Sequence, residues 1–402
     1  MLSEIPIGSL VPLTGPSAVD GREFRNGVLM ACEEINAKGG VLGQELHPHF
    51  EDTGRQTPEE VVAAANRLIE HKHVHAIING YNIGPQNAEY EPIADAGIIY
   101  IHHNTLLQHH DTVLSDPERY FGCFMGNPAE YWYGRGFLKF LSALRERSAW
   151  RPHNNRLAII SGSKPYSIVI AKAMASSART FGWDVAFGPE IVQTPRSDWR
   201  DVIARATATD PAVIANTHFY AGDLAHFQSQ FMEAPSNSLV YLQYGAMHRS
   251  FSELAQENAI GVVVSAVTSL LRDEMGRAFS RRYLERFGPH STPQVGCQCY
   301  NAVQHYALAV AAAGGSGAPG QHTTNRRVAQ SLKDITWRGV SGATHYHEQW
   351  QTAVSYPDQS NDPSLGMPHL FFQVQSLDRG LALIAPEPYD VDPFIQPPWF
   401  TS

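Results

Sequence analysis

The apolar positions of this chain come in short blocks that alternate with helical stripes. IPIGSLVPL at 5–13 reads as a buried strand, TGPS breaks it, and Phe24, Val28, Ala31 and Ile35 then recur at helical spacing over 21–38. AKGG at 37–40 closes that helix with glycine, and ELHPHFED follows as a strand. The next helix, 57–72, opens on Thr57-Pro58-Glu59-Glu60, with a cap, a first-turn proline and acids for the dipole. HAIINGY, a helix near 86–96 and GIIYIHH continue the alternation. The pattern restarts with RLAIISGS at 156–163 and a helix at 166–181. WDVAFGPEIV, a helix at 197–208, AVIANTHF, a helix at 221–232, SLVYLQYG and GVVVSAV complete the second series.

Strands alternating with helices through short loops predict parallel sheets covered on both faces. The expected class is therefore α/β, with two Rossmann-like lobes. Long helices at 273–287 and 296–313 follow, the second ending in GGSGAPGQ, a mobile loop by composition; HLFFQVQ and LALIAPEP read as late strands. If the chain returns to the first lobe after about 267 and revisits the second near 370, it crosses three times and builds a hinge. The expected division is 1–124 with 268–360 for lobe 1, 125–267 with 361–385 for lobe 2, and a tail at 386–402.

With 402 residues, 43% apolar and 17% charged, the chain can bury sizeable cores. Its net charge is −9 and its 30 Lys and Arg are scattered, which argues against nucleic acid as a partner. No run reaches the roughly 20 apolar residues of a membrane span, so no membrane insertion is expected. MLSEIPIGSLVPL shows neither a basic n-region nor an apolar h-region. Location is therefore read either as cytoplasmic or as exported with a leader absent from this sequence. Four cysteines are too few for a disulfide scaffold; Cys32, Cys123, Cys297 and Cys299 are expected as core thiols.

Histidines offer the first candidate chemistry. His71, His73 and His75 alternate as a strand face would, yet they lie where a helix exits, and zinc sites bring carboxylate or thiolate partners that are missing here. No metal or other cofactor is expected. His102 and His103 end GIIYI, and ligands of open α/β sheets bind beyond the carboxyl ends of the strands, so one of the two should face a cleft. His109 and His110, beside Asp111, are expected in a surface turn.

The same rule selects GYNIG, SGSKPYS, NTHFYAG and LQYGA, whose aromatic members are Tyr81, Tyr166, Tyr220 and Tyr244. A tyrosine-lined cleft with a few hydrogen-bonding groups fits a small organic ligand. Catalytic signals are poor. GSGAPG at 315–320 follows a helix rather than a strand, no G-x-x-x-x-G-K-[ST] occurs, SGSKP is not a nucleophile elbow, and HYHEQWQ is not H-E-x-x-H. No enzyme is expected.

The opening stretch through FEDTG, PIADAGIIYI and the closing APEPYDVDPFIQPPWF resemble the type I periplasmic solute-binding proteins of ABC transporters, the Leu/Ile/Val-binding group. The closing segment is more similar to the amide- and urea-binding branch. That resemblance implies two lobes closing on ligand about a three-strand hinge, with an ABC permease as partner and a periplasmic location. The alternative is a cytoplasmic amide-type sensor acting on a regulatory partner protein.

The resemblance also implies ligand contacts from Tyr81, Asn82, Ile83, His103, Asn104, Tyr166, His218, Tyr220 and Tyr244. Amino-acid-binding members place a serine where Ile83 stands and an acid near Tyr244; in the amide-sensing branch a tyrosine occupies the place of Tyr81 and a threonine that of His103. A buried ammonium lacking an anion is costly. The expected ligand is thus an amide, aromatic or carboxylic compound rather than a standard α-amino acid.

Overall fold

The computed structural model describes residues 4–400 apart from 16, 82–86, 268 and 379. It is a mixed α/β protein in two compact units. Unit 1 is residues 1–129 with 268–368, and unit 2 is 130–267 with 369–402. The chain thus passes between them after Ala129, Val267 and Pro368.

Unit 1 begins with β1 (Glu4–Val11), α1 (Ala18–Asn36), β2 (Glu45–Asp52), α2 (Pro58–Glu70), β3 (Ala76–Ile78), α3 (Tyr90–Ala96), β4 (Ile99–His102), α4 (Gln108–Ser115) and β5 (Cys123–Met125). Its five strands lie parallel in the order β2-β1-β3-β4-β5. Unit 2 follows with α5 (Tyr131–Glu146), β6 (Arg156–Gly162), α6 (Pro165–Ser177), β7 (Asp184–Val192) and α7 (Arg200–Thr207). It continues through β8 (Val213–Asn216), α8 (Ala221–Phe231), β9 (Leu239–Leu242), α9 (Arg249–Ala255) and β10 (Val263–Ala266).

The chain then adds α10 (Glu274–Phe287), α11 (Pro293–Ala313), α12 (His322–Asp334), β11 (Trp337–Gly339), β12 (Gly342–Thr344), β13 (Ser355–Tyr356) and β14 (Met367–Pro368) to unit 1. It ends in unit 2 with β15 (Leu370–Ser376) and β16 (Gly380–Ala385). These form an antiparallel edge on the parallel run β10-β9-β8-β6-β7.

Local chemistry accounts for several boundaries. Thr57 Oγ1 accepts from Glu60 N at 3.3 Å while Glu60 Oε2 accepts from Thr57 N at 3.1 Å, a reciprocal cap that starts α2. Asp273 Oδ1 accepts from Gly276 N at 2.8 Å to start α10, and Gly314, at φ +78°, ends α11. α11 is buried nearly all round because it runs through the core of unit 1 beside α1.

The lobe boundaries expected at 125 and 361 sit at 130 and 369 instead. β5 and the residues after it are held by unit 1, since Met125 N donates to Gln351 O and Ala353 N to Met125 O, both at 2.9 Å. The tail at 386–402 packs within unit 2, where the Trp399 indole donates to Ser238 O at 2.9 Å. The glycine-rich loop after α11, expected to be mobile, is pinned: Gly317 N donates to Asn325 Oδ1 at 2.9 Å and Asn325 Nδ2 to Gly317 O at 3.0 Å.

α1 and α11 meet at glycines. A Cβ on Gly27 would lie 2.1 Å from the carbonyl oxygen of Gly296, a backbone atom that cannot swing aside. Gly27→Ala should lower the urea midpoint by the equivalent of about 1–3 kcal/mol. Gly222→Ala, where nothing lies within 4 Å, should not lower it. A Gly27→Ala protein as stable as the parent would refute this account of the helix contact.

Candidate functional site

Both sheets place their first strand beside their third with the second outside it, in the orders β2-β1-β3 and β7-β6-β8. In α/β proteins, ligands bind beyond the carboxyl ends of the strands where the strand order reverses.

In unit 1, Tyr81 follows β3 at this reversal. Its hydroxyl donates to Asp20 Oδ2, its carbonyl accepts from Gln56 Nε2 at 3.0 Å, and its ring meets Phe24 edge-on at 5.1 Å. Asn82 and Ile83 lie outside the described residues. His103 turns into the interior: it is buried, its Nδ1 pairs with Asn79 O at 2.7 Å, and burial lowers its pKa to about 4. A carbonyl can only accept, so Nδ1 carries the proton and Nε2 is a bare acceptor. That atom lines a recess within unit 1, walled also by Asn127, Gln298, Asn301, His305 and Tyr346, with room for about one water. His305 repeats the arrangement: its Nε2 pairs with Ile335 O at 3.1 Å, leaving a buried Nδ1 without a partner.

Asn104 is buried too. Its Nδ2 donates to Asn87 Oδ1 at 3.0 Å and Glu89 Oε1 at 3.3 Å, so it fastens the loop after β4 to the segment before α3. Thr105 beside it has φ +60°, a strained conformation for a β-branched residue. The surface turn expected at His109 and His110 is instead the buried first turn of α4. His109 donates to Trp350 O at 2.8 Å and His110 stacks on the Trp350 indole at 4.9 Å, so a distant segment covers both. His71 and His73 are exposed, and all four cysteines are buried free thiols. Among the described residues no group of three or more His, Cys, Asp or Glu could hold a metal ion.

In unit 2, His218 lies two residues past the end of β8, against Gly162 at the end of β6. His218 Nε2 pairs with Asp223 Oδ2 at 2.9 Å. A carboxylate accepts, so Nε2 carries the proton. Nδ1 is then a buried acceptor with no partner, and a Cβ on Gly162 would lie 2.4 Å from it. Burial lowers the pKa of His218 while Asp223 opposes the shift. Asp223 also accepts from Arg196 N at 2.7 Å. Tyr220 packs edge-on against the His218 ring at 5.0 Å.

Tyr166, on the first turn of α6, accepts from Gln243 Nε2 at 2.9 Å, and Gln243 Oε1 in turn accepts from the Tyr241 hydroxyl. With its oxygen anchored, the Tyr166 hydroxyl proton is left to donate. Tyr244 has φ +44° and ψ −59°, and Gly245 N donates back to Gln243 O, a tight γ-turn that a non-glycine residue adopts only under strain.

The structure therefore brings Tyr166, His218, Tyr220 and Tyr244 to strand ends of unit 2. In unit 1 it commits Tyr81, His103 and Asn104 to partners of their own. Sequence reasoning passed over Asp20, Gln243 and Asp223. Asp20 and Asp223 carried a readable signal, each an acid in the first turn of the helix that follows a strand, α1 after β1 and α8 after β8.

A family model described as "Periplasmic binding protein" matches residues 4–356. A crystal structure described provisionally as a branched-chain amino acid ABC transporter from Silicibacter pomeroyi is 44% identical. It covers 99% of this chain and 100% of its own, with a TM-score of 0.97. The Leu/Ile/Val-binding protein BraC3 of Rhizobium johnstonii is 40% identical over 67 residues, 17% of this chain and 18% of that protein. An amino acid binding protein of Pseudomonas aeruginosa is 32% identical over 100 residues, 25% of this chain and 26% of that protein. The chain thus aligns with only about a quarter or less of the length of these curated relatives. LivJ of Streptococcus pneumoniae, solved with isoleucine, is 15% identical with a TM-score of 0.72 and covers 96% of this chain and 100% of its own, which speaks to fold alone.

Proposed function

Since the chain belongs to the periplasmic binding protein family, we propose that it is the solute-binding receptor of an ABC-type importer, located in the periplasm. It captures a small organic molecule by closing about its three crossings and presents the closed form to a permease. The observation that carries this reading is the match of the family model over residues 4–356. The strand ends of unit 2 support it, because they offer a donor at Tyr166 and a bare acceptor at His218 Nδ1. Closure is a population shift, so affinity depends on the open-closed balance as well as on contacts.

For the ligand we propose an amide, aromatic or carboxylic compound. The Tyr166 hydroxyl would donate to its carbonyl or carboxylate, and neutral Tyr244 stands where the resemblance puts an acid. One observation favours a second reading, an α-amino acid. Asp223, next to neutral His218, supplies a carboxylate that could receive an ammonium. The alternative of a cytoplasmic sensor has no comparable observation behind it.

A thermal-shift series separates these readings, since a ligand bound only by the folded state raises the melting temperature. Short amides, urea and aromatic and aliphatic carboxylates are compared with leucine and isoleucine. A rise with an amide or carboxylate, lost in Tyr166→Phe, is the expected result. A rise with leucine that Asp223→Asn abolishes would replace the first ligand class by the second. No rise with any compound, together with no compaction in small-angle scattering, would count against a receptor altogether.

A further inference from the structure

Buried in unit 1, His102, Tyr90 and His109 stand in a row whose proton positions can be deduced from its two ends. At one end Trp350 offers a carbonyl oxygen, 2.8 Å from His109 Nε2. An oxygen of this kind only accepts, so His109 Nε2 carries the hydrogen and its Nδ1, when the ring is neutral, is bare. Tyr90 Oη lies 2.6 Å from that Nδ1 and must donate to it. Having spent its proton there, Tyr90 can only accept from its other neighbour, His102 Nε2. At the far end the Asn104 amide N–H points at His102 Nδ1 at 3.2 Å, which requires that nitrogen to be bare. The two ends are independent and dictate the same polarity.

We propose that His102, Tyr90 and His109 form a one-directional hydrogen-bond relay that ties the loop after β4 to the segment 345–353, and that the tie holds only while both imidazoles are neutral. Protonating His102 would set its Nδ1–H against the Asn104 N–H. Protonating His109 would set its Nδ1–H against the Tyr90 O–H. Either way one link becomes a contact between two donors inside a protein core, where water cannot substitute.

What the relay joins gives it a consequence. The segment 345–353 is seated on β5 and the turn before it, with Gln351 Nε2 donating to Tyr120 O at 2.9 Å and Cys123 O at 2.7 Å. Downstream it leads to the third crossing after Pro368. Trp350 is also stacked on His110 at 4.9 Å and on His347 at 4.0 Å, both at 14°. Acid would also set like charges on the two rings that flank that indole; burial first, and then His347, holds the pKa of His110 down. The carboxylates nearby oppose this only in part, since burial outweighs the pull of Asp111 on His110 and of Glu348 on His347. Glu89 is engaged by the Tyr100 hydroxyl at 2.6 Å and by Asn104, Glu91 by the Tyr120 hydroxyl at 2.6 Å, Asp111 acts on His110 and Glu348 on His347. The remaining titratable groups packed against the relay are His103 and the Cys123 thiol, which are neutral. Burial, with neighbouring imidazoles adding to it, lowers the pKa of His102 well below the usual value and that of His109 to about 3. The device is an acid-sensitive latch on the hinge-proximal segment, and it stands whether or not the solute reading is correct.

The test uses the full chain labelled with 15N-histidine. Long-range 1H–15N correlations should show His102 and His109 as Nε2–H tautomers with bare Nδ1 at pH 7, unchanged at pH 5. An Nδ1–H tautomer, or titration of either ring near pH 6.5, overturns the relay. In Tyr90→Phe the two rings lose their common link. Hydrogen exchange in 345–353 should then rise at least about tenfold at pH 7 relative to α2, since both buried hydrogen bonds of the Tyr90 hydroxyl are lost. Exchange unchanged in that variant would overturn the tie. If the variant does not fold, the wild-type protein decides: exchange in 345–353, corrected for intrinsic rate, should rise relative to α2 between pH 7 and pH 4, and an unchanged ratio overturns the latch.

Discussion

Acidifying the protein from pH 7 to pH 5 should strip it of several kcal/mol of stability, with unit 1 failing first. Burial holds His103, His110 and His305 down to about pKa 4 and His109 and His369 down to about 3, against 6.5 for an unperturbed ring. A lowered histidine pKa means that the native state binds protons less readily than the unfolded chain. Above about pH 6.5 both states are neutral at these rings and stability is whole. As pH falls below that value the unfolded chain gains protons that the native state refuses, so stability drops, and the loss levels off only near pH 3–4.

At pH 5 each such ring contributes a loss on the order of 2 kcal/mol. Four of the five lie in unit 1, so its loss approaches the whole margin of about 5–15 kcal/mol typical of a domain. Carboxylates with lowered pKa, such as Asp52 under its hydrogen bonds from Thr14 and Gly54, titrate below this window and do not disguise the effect. The check is the urea midpoint at pH 7.5, 6 and 5, read by hydrogen exchange in each unit. A midpoint flat across that range would mean the buried rings titrate normally, and the burial argument would be wrong.

How much of this was readable beforehand depended on whether a partner was local. The start of α2 was legible because Thr57, Pro58 and Glu60 carry the cap themselves. The alternation that gave two parallel sheets was legible for a similar reason, since each strand announces its own burial. His109 and His110 were misplaced because nothing in QHHDTVLS reveals Trp350, which reaches them from 241 positions away in the case of His109. The position of His103 after a strand was legible while the direction of its ring was not, because the carbonyl of Asn79 that turns the ring inward is a tertiary neighbour. Asp223 was overlooked because it stands immediately after NTHFYAG, in the helix beyond the strand end, while its partner, His218, lies five positions back. Composition misled most plainly at GGSGAPGQ, where one side chain from α12 pins the loop at Gly317.

That side chain, Asn325, carries the other large expected effect. It is fully buried and uses its whole amide: Nδ2 donates to Gly97 O at 2.9 Å and Gly317 O at 3.0 Å, and Oδ1 accepts from Gly317 N at 2.9 Å. It thus fastens the loop after α11 to the left-handed end of α3 at Gly97. Asn325→Ala leaves three backbone groups unpaired where water does not reach, and should cost on the order of 3–5 kcal/mol. Asn325→Asp keeps the size and one bond, so it isolates polarity from packing. Its second oxygen faces two carbonyls that need a donor, and the introduced carboxylate must either unfold the loop or take up a proton. Its deficit relative to the parent should therefore shrink as pH falls, by up to about 1.4 kcal/mol for each pH unit above the carboxyl's unfolded value, opposite in sense to the histidine effect. Paired urea titrations of parent and variant at pH 7.5, 6 and 5 separate the two slopes. A deficit independent of pH would show that the site holds the loop by shape alone, and the hydrogen-bond account of its rigidity would have to be given up.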